Sequence, residues 1–274
     1  MSVLSALGPQ VLIGLRPISE NVFQRKCAFI ILKMPLFYQH NINQGTKLGI
    51  WQIDEPESFF LEKVPLKRDV SHPYKRLQHL AGRYLLSFLF PDFPLEEIRI
   101  ADTRQPFLES EKYHFSISHC GKYAAAIVSR TRRVGVDIEL ITPRIETVAQ
   151  KFLSEEEAHF FNEDYTLFLE QWGLRGRVHQ EFLTLIWSSK EALFKWYGQG
   201  ELDFKKHMQL EGNISMEGEV IKLPFAFNKG QKIHLGLEAR TFEEQALVLV
   251  FVTTSGKLQA ISSLLPPPPP LPAG

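Results

Sequence analysis

The stretch Val134–Leu140, VGVDIEL, places two acids inside an otherwise apolar run, and this limits the possible folds more than any other segment does. Its residues are those of a strand. The period of two sends Val136 and Ile138 to one face and Asp137 and Glu139 to the other. The two acidic Cα atoms are then about 7 Å apart. Carboxylates this close repel unless something positive sits between them. On a surface strand they would be solvated and idle. The apolar flanks argue for a strand that is mostly buried, where unpaired charge is expensive. The chain must bring a positive partner to this strand.

A second stretch, WSSKEALFKW at 187–196, offers one. Glu191 and Lys195 lie one helical turn apart and share a face. A plain ion pair would explain that spacing, and so would a site that holds a metal and a phosphate. A hard cation such as Mg²⁺ takes oxygen ligands, commonly one or two carboxylates completed by waters and phosphate oxygens. Glu191 would supply a third carboxylate, with Lys190 and Lys195 near the phosphates, provided that strand and helix meet.

Bulk properties restrict the setting. Lysine plus arginine and aspartate plus glutamate balance at 31 each, so no net field draws the 274-residue chain to nucleic acid or to an anionic membrane. Hydrophobic residues make up 44%, ample for a core of one large domain or two small ones. Cys27 and Cys120 are too few for a disulfide framework and fit a reducing compartment. No stretch is long and apolar enough to span a bilayer, and no leader pattern is visible, so the expected setting is the cytoplasm.

Along the chain, Cys27–Lys33 and Leu48–Ile53 read as strands. A helix is predicted from His72 to Phe90, stopped by Pro91, with Arg76 and Arg83 on one face. Strands follow at Ile98–Ala101, Tyr113–Ser118, Lys122–Val128 and Val134–Leu140. Ser154 with Glu157 is a capping-box signature for a helix start. The segment Glu163–Glu181 reads as mixed loop and short helix. A stronger helix runs from about Phe182 to Tyr197 and is stopped by Gly198 and Gly200. Strands are predicted at Phe204–Leu210, Val220–Leu223, Lys232–Leu237 and Ala246–Val252. The tail LLPPPPPLPAG reads as polyproline. No internal sequence repeat is visible, although both halves run helix and then strands.

Taken together, these residues resemble the 4′-phosphopantetheinyl transferases. GVDIE at 135–139 and WSSKEALFK at 187–195 are similar to that family's two main motifs, in order and at its usual separation. FSISH at 115–119, FLSEEE at 152–157 and LAGRYLL at 80–86 resemble three further segments of it. The resemblance covers roughly residues 45–200. One departure stands out: the family's usual Gly-Lys-Pro turn, whose lysine contacts coenzyme A, is here Arg104-Gln105-Pro106. Gln105 carries no charge, which leaves Arg104 as the cation of that turn.

The resemblance implies an α+β fold of the larger, surfactin-synthetase type. Two similar α+β halves would form a pseudo-dimer, residues 1–130 and 131–262, with the active site in the cleft between them and a proline-rich tail at 263–274. It implies a monomer that moves the phosphopantetheine arm of coenzyme A onto a serine of an acyl or peptidyl carrier protein. Asp137, Glu139 and Glu191 would hold Mg²⁺, and Glu191 would also be the candidate base. Lys195 would stabilise the diphosphate, Lys190 would bind a neighbouring phosphate, and Arg83 with His119 would take the 3′-phosphate. Trp187 and Trp196 are expected in the core. Two rivals use the same residues: another magnesium enzyme that cleaves phosphates, and a protein that binds coenzyme A or a carrier without turnover.

Overall fold

In the computed structural model the described residues are 35–66, 70–160 and 178–254. The strand expected at Cys27–Lys33, most of Glu163–Glu181 and the proline-rich tail lie outside them.

The first sheet is built from β1 (Leu36–Asn43), β2 (Thr46–Gln52), β5 (His114–Cys120) and β6 (Tyr123–Ser129), in the order β1-β2-β6-β5 and antiparallel throughout. Between β2 and β5 the chain forms a short helix α1 (Glu57–Leu61), the long helix α2 (Pro73–Leu89) and a small hairpin, β3 (Arg99–Ile100) with β4 (Pro106–Phe107). Helix α2 begins as predicted, with proline in its first turn, where a missing N–H costs nothing. It lays Leu80, Ala81, Leu85 and Leu89 on Ala124, Ala126 and Val128 of β6. The alanines of KYAAAIV keep that face shallow enough for a helix to lie close.

The second sheet runs in the order β7-β12-β11-β10-β8, with β9 also on β10. It opens with β7 (Val134–Leu140), followed by helices α3 (Arg144–Phe152), α4 (Glu155–Phe160), α5 (Val178–Tyr197) and the single turn α6 (Phe204–His207). Then come β8 (Met208–Leu210), β9 (Ser215–Glu217), β10 (Val220–Phe227), β11 (Ile233–Phe242) and β12 (Leu247–Thr253). Helix α5 buries Phe182, Leu185, Ile186, Leu193 and Trp196 against Phe225, Phe227, Val248 and Val250. The faces of the two sheets that look away from α2 and α5 share a third core, in which Leu48, Ile50 and Ile127 meet Val134, Val136 and Ile138.

Several elements differ from their sequence expectation. Phe204–Leu210 is not one strand: Asp203 accepts hydrogen bonds from the Lys205 and Lys206 amides, which winds a helical turn before β8 begins. Strand β10 continues through Pro224, where a ladder hydrogen bond should fail. Pro224 lies just past the 225–227 pairing with β8; its carbonyl still accepts from the Glu211 amide at 2.8 Å, and only the reciprocal bond from its own nitrogen is missing. The strand Leu36–Asn43 and the helix Arg144–Phe152 were not anticipated. The strand buries none of its residues fully, so alternation marks it weakly, whereas the helix carries Ile145, Val148, Ala149 and Phe152 at i, i+3, i+4 and i+7, a signal that was present in the sequence.

Candidate functional site

The two sheets meet along a seam between β5 and β7, and the seam is bridged by side chains. Ser116 accepts a hydrogen bond from the Val136 amide at 3.1 Å, and Ser118 donates to Asp137 Oδ1 at 2.7 Å. Ser116 thus serves a backbone amide of β7 as a neighbouring strand would, while Ser118 serves its carboxylate. On its other side β7 pairs with β12, Asp137 opposite Val250.

Helix α5 reaches this seam because residue 135 is glycine. A Cβ there would lie 2.0 Å from the Ala192 carbonyl oxygen and 2.9 Å from the Trp196 amide, so the strand and helix backbones touch only without it. The close approach sets Trp187, Glu191 and Lys195, spaced at i, i+4 and i+8, toward the acids of β7. Lys195 Nζ sits 2.6 Å from Asp137 Oδ1 and 2.8 Å from Ser118 Oγ. Trp187, expected in the core, packs partly buried against it and also stands close enough to Glu139 for its indole to favour the ionised carboxylate. Its place four residues before Glu191 was the available signal. Ser118, likewise inside a recognised motif, was passed over.

The electrostatics are those of a crowded anionic site. Burial, with the charge of Asp137 added, pushes Glu139 up to about 7, opposed by Trp187 and Lys195. Burial also raises Glu191; Lys195 opposes this and Asp137 adds to it. Asp137 is almost fully enclosed, and its second oxygen, Oδ2, is buried with no hydrogen-bond partner. Among the described residues no three His, Cys, Asp or Glu side chains are grouped as a ready-made metal site; the cation on Asp137 is Lys195. Even so, the all-carboxylate donor set, the orphaned oxygen and the raised Glu139 are what a hard divalent cation would relieve. The residues present fit such an ion.

Lys190 points elsewhere. One position from Glu191, it is rotated about 100° around the helix and is fully buried. Its ammonium donates to the Phe152 carbonyl at 2.7 Å, the Phe204 carbonyl at 3.1 Å and Glu157 Oε2 at 2.6 Å. Those contacts use all three donors, so the lysine expected to bind a phosphate is a structural tie. Burial pushes its ammonium below the usual lysine range, against the pull of Glu157. Glu157 also closes the predicted capping box with Ser154 and accepts from the Leu210 amide at 3.0 Å.

His119 opens to solvent at the end of β5. Desolvation by the atoms packed around its ring lowers its pKa, and the nearby charges of Lys75 and Lys195 lower it further. Arg83 lies on α2 with Nη1 2.9 Å from His79 Nδ1. Lys75, His79 and Arg83 recur every fourth residue, a basic stripe along that helix. Arg76 turns instead to Glu57 and the Val70 carbonyl. On the other side of Glu139 a cavity of about 830 Å³ opens, walled by Leu140, Val148, Phe152 and Trp187 and rimmed by Arg144 and Lys151. No helix among the described residues is long and apolar enough to cross a membrane.

Comparison with known proteins agrees with this geometry. Residues 133–240 match the family model of the 4′-phosphopantetheinyl transferase superfamily. The chain is 33% identical over 123 residues to enterobactin synthase component D of Escherichia coli O157:H7, covering 44% of this chain and 54% of that protein. It is 33% identical over 122 residues to the protein of the same name from Salmonella typhi, covering 44% and 47%. The chain thus spans about half the length of the curated relatives it matches.

Proposed function

We propose that this protein transfers the 4′-phosphopantetheine arm of coenzyme A to a serine hydroxyl of an apo-acyl or peptidyl carrier protein, releasing adenosine 3′,5′-bisphosphate. The observation that carries this reading is the meeting of β7 and α5. It sets Asp137, Glu139 and Glu191 within reach of one another's charge and lays Lys195 on Asp137. The match of residues 133–240 to the transferase superfamily covers both motifs.

In this reading the chain is two α+β halves divided near residue 130, each a sheet with one long helix on its outer face, and the substrate lies along the seam between them. Asp137, Glu139 and Glu191 would hold Mg²⁺, which when bound neutralises the diphosphate. Glu191, with a carboxyl made more basic by burial, takes the proton from the carrier serine. The serine oxygen then attacks the phosphorus that bears the pantetheine arm, and the bond to the bridging diphosphate oxygen breaks. Lys195 gives Asp137 and Ser118 two of its three donors, and the third serves the departing phosphate. His119, Lys75 and Arg83 supply donors and positive charge for the 3′-phosphate. The cavity beside Glu139 has apolar walls suited to the pantetheine arm.

The test is mass spectrometry of an apo-acyl carrier protein incubated with the protein, coenzyme A and Mg²⁺, alongside Asp137→Ala. One phosphopantetheine gained, and lost both in the variant and on chelation, supports the reading. Binding of coenzyme A with no transfer to several carriers would make this a non-catalytic binder. Release of nucleotide without a carrier would make it a hydrolase.

A further inference from the structure

The turn that departs from the transferase pattern, Arg104-Gln105-Pro106, lies against the end of the helix that carries Lys195. It belongs to the β3–β4 hairpin, whose loop is closed by the Ala101 amide on the Gln105 carbonyl at 2.9 Å and the Arg104 amide on the Ala101 carbonyl at 2.8 Å. Arg104 takes φ +66°, the left-handed conformation that glycine accepts most readily. The loop therefore keeps the shape of a glycine-bearing turn although its residues differ.

A helix leaves its last carbonyls without partners of its own. In α5 these are met from outside, by side chains distant in sequence. Gln105 donates its amide N–H to the Lys195 carbonyl, Arg133 donates to the Tyr197 carbonyl at 2.8 Å, and Thr103 donates to the Gly198 carbonyl at 3.3 Å. Gly198 has φ +79°, and a Cβ there would lie 3.5 Å from Gln105 Oε1, so the loop is packed on the helix end as well as bonded to it. The Gln105 bond falls on Lys195 itself, whose ammonium is 2.6 Å from Asp137 at the other end of the same residue.

We propose that Gln105 is a positioning residue: by holding the Lys195 backbone it sets where that ammonium stands at the β5–β7 seam. A charged contact to coenzyme A, the role of the family's lysine in this turn, is not what this residue provides. Gln105 acts through Lys195, and the catalytic part of the argument rests on the transfer reaction proposed above. A displacement of the helix end by a fraction of an ångström would move Lys195 off the diphosphate while leaving the rest of the substrate contacts intact.

The experiment compares wild type with Gln105→Leu, which keeps the bulk and removes the donor, and with Gln105→Lys, which restores an N–H donor of similar reach. Two quantities are measured: steady-state transfer with coenzyme A varied, and amide hydrogen exchange of residues 194–198. The Leu variant should lose roughly tenfold in kcat with KM for coenzyme A within about twofold of wild type. Exchange should quicken at the last turn of α5, including the Gly198 amide that bonds the Phe194 carbonyl. The Lys variant should recover both. Unchanged exchange in the Leu variant overturns the proposal, as does a rise in KM alone, which would make Gln105 a substrate contact. If wild type transfers nothing, the transfer reading fails, and exchange still decides whether Gln105 holds the helix end.

Discussion

Replacing Lys190 by methionine separates the buried tie from the phosphate contact that its motif suggested. Lys190 and Glu157 have 0% and 2% of their side chains exposed, so neither charge is relieved by water. Lys190→Met leaves the Glu157 carboxylate enclosed with only the Ser154 and Leu210 amides on it, and leaves the Phe152 and Phe204 carbonyls without this donor. Breaking one side of a buried pair costs about 3–5 kcal/mol. That is a fifth or more of the roughly 5–15 kcal/mol stability typical of a domain. Glu157→Gln alone strands the ammonium and should cost a similar amount. The double variant removes both charges, so the coupling between the two sites should be at least about 2 kcal/mol. Urea unfolding followed by tryptophan fluorescence at constant m-value measures all three. At a temperature where Lys190→Met remains folded, KM for coenzyme A should stay within about threefold of wild type. A loss below about 1 kcal/mol, or a KM raised more than tenfold (~1.4 kcal/mol of binding), would refute the reasoning.

Two further outcomes follow from the packing of α5 on β7. Gly135→Ala drives a methyl onto the Ala192 carbonyl, a backbone atom that no rotamer change can move aside. Thermal unfolding should show a loss of about 3 kcal/mol or more, with transfer lost as α5 lifts from β7; a melting point within ~1 °C of wild type would contradict this. Glu139→Gln should stabilise the metal-free protein. The folded carboxyl titrates at about 7 against an ordinary 4.5, so between those values the unfolded chain gives up a proton that the folded chain keeps. Stability therefore falls as pH rises through that window. In chelator the variant should melt above wild type at pH 8, with the difference shrinking toward pH 5, while transfer is abolished. An equal difference at both pH values would remove the electrostatic cause.

Most of the fold-bearing pattern is local and was readable. The helix over Pro73–Leu89, the strands at Tyr123–Ser129 and Val134–Leu140, and the long helix ending at Tyr197 follow from periodicity and punctuation alone, although the two strands, which read as a pair, belong to different sheets. The acids of β7 and the Glu191–Lys195 spacing declared themselves because alternation along a strand and the turn of a helix are fixed by backbone geometry. What neighbours in sequence cannot reveal is which way a helix is rotated against the rest. Lys190 and Lys195 belong to one motif and looked alike as cations. Five positions put them on different sides of α5, so one was buried on Glu157 and the other was laid on Asp137. Trp187, in the core as expected, also came to lie beside Glu139 for the same reason, and Ser118 gained a role because β5 came to lie beside β7. Gln105, a residue without charge, matters only through contact with a helix end ninety positions away. Sequence determined the elements and the chemistry they carry, since both are set within a few residues. Tertiary structure decided which groups meet, because burial and long-range pairing depend on how those elements pack.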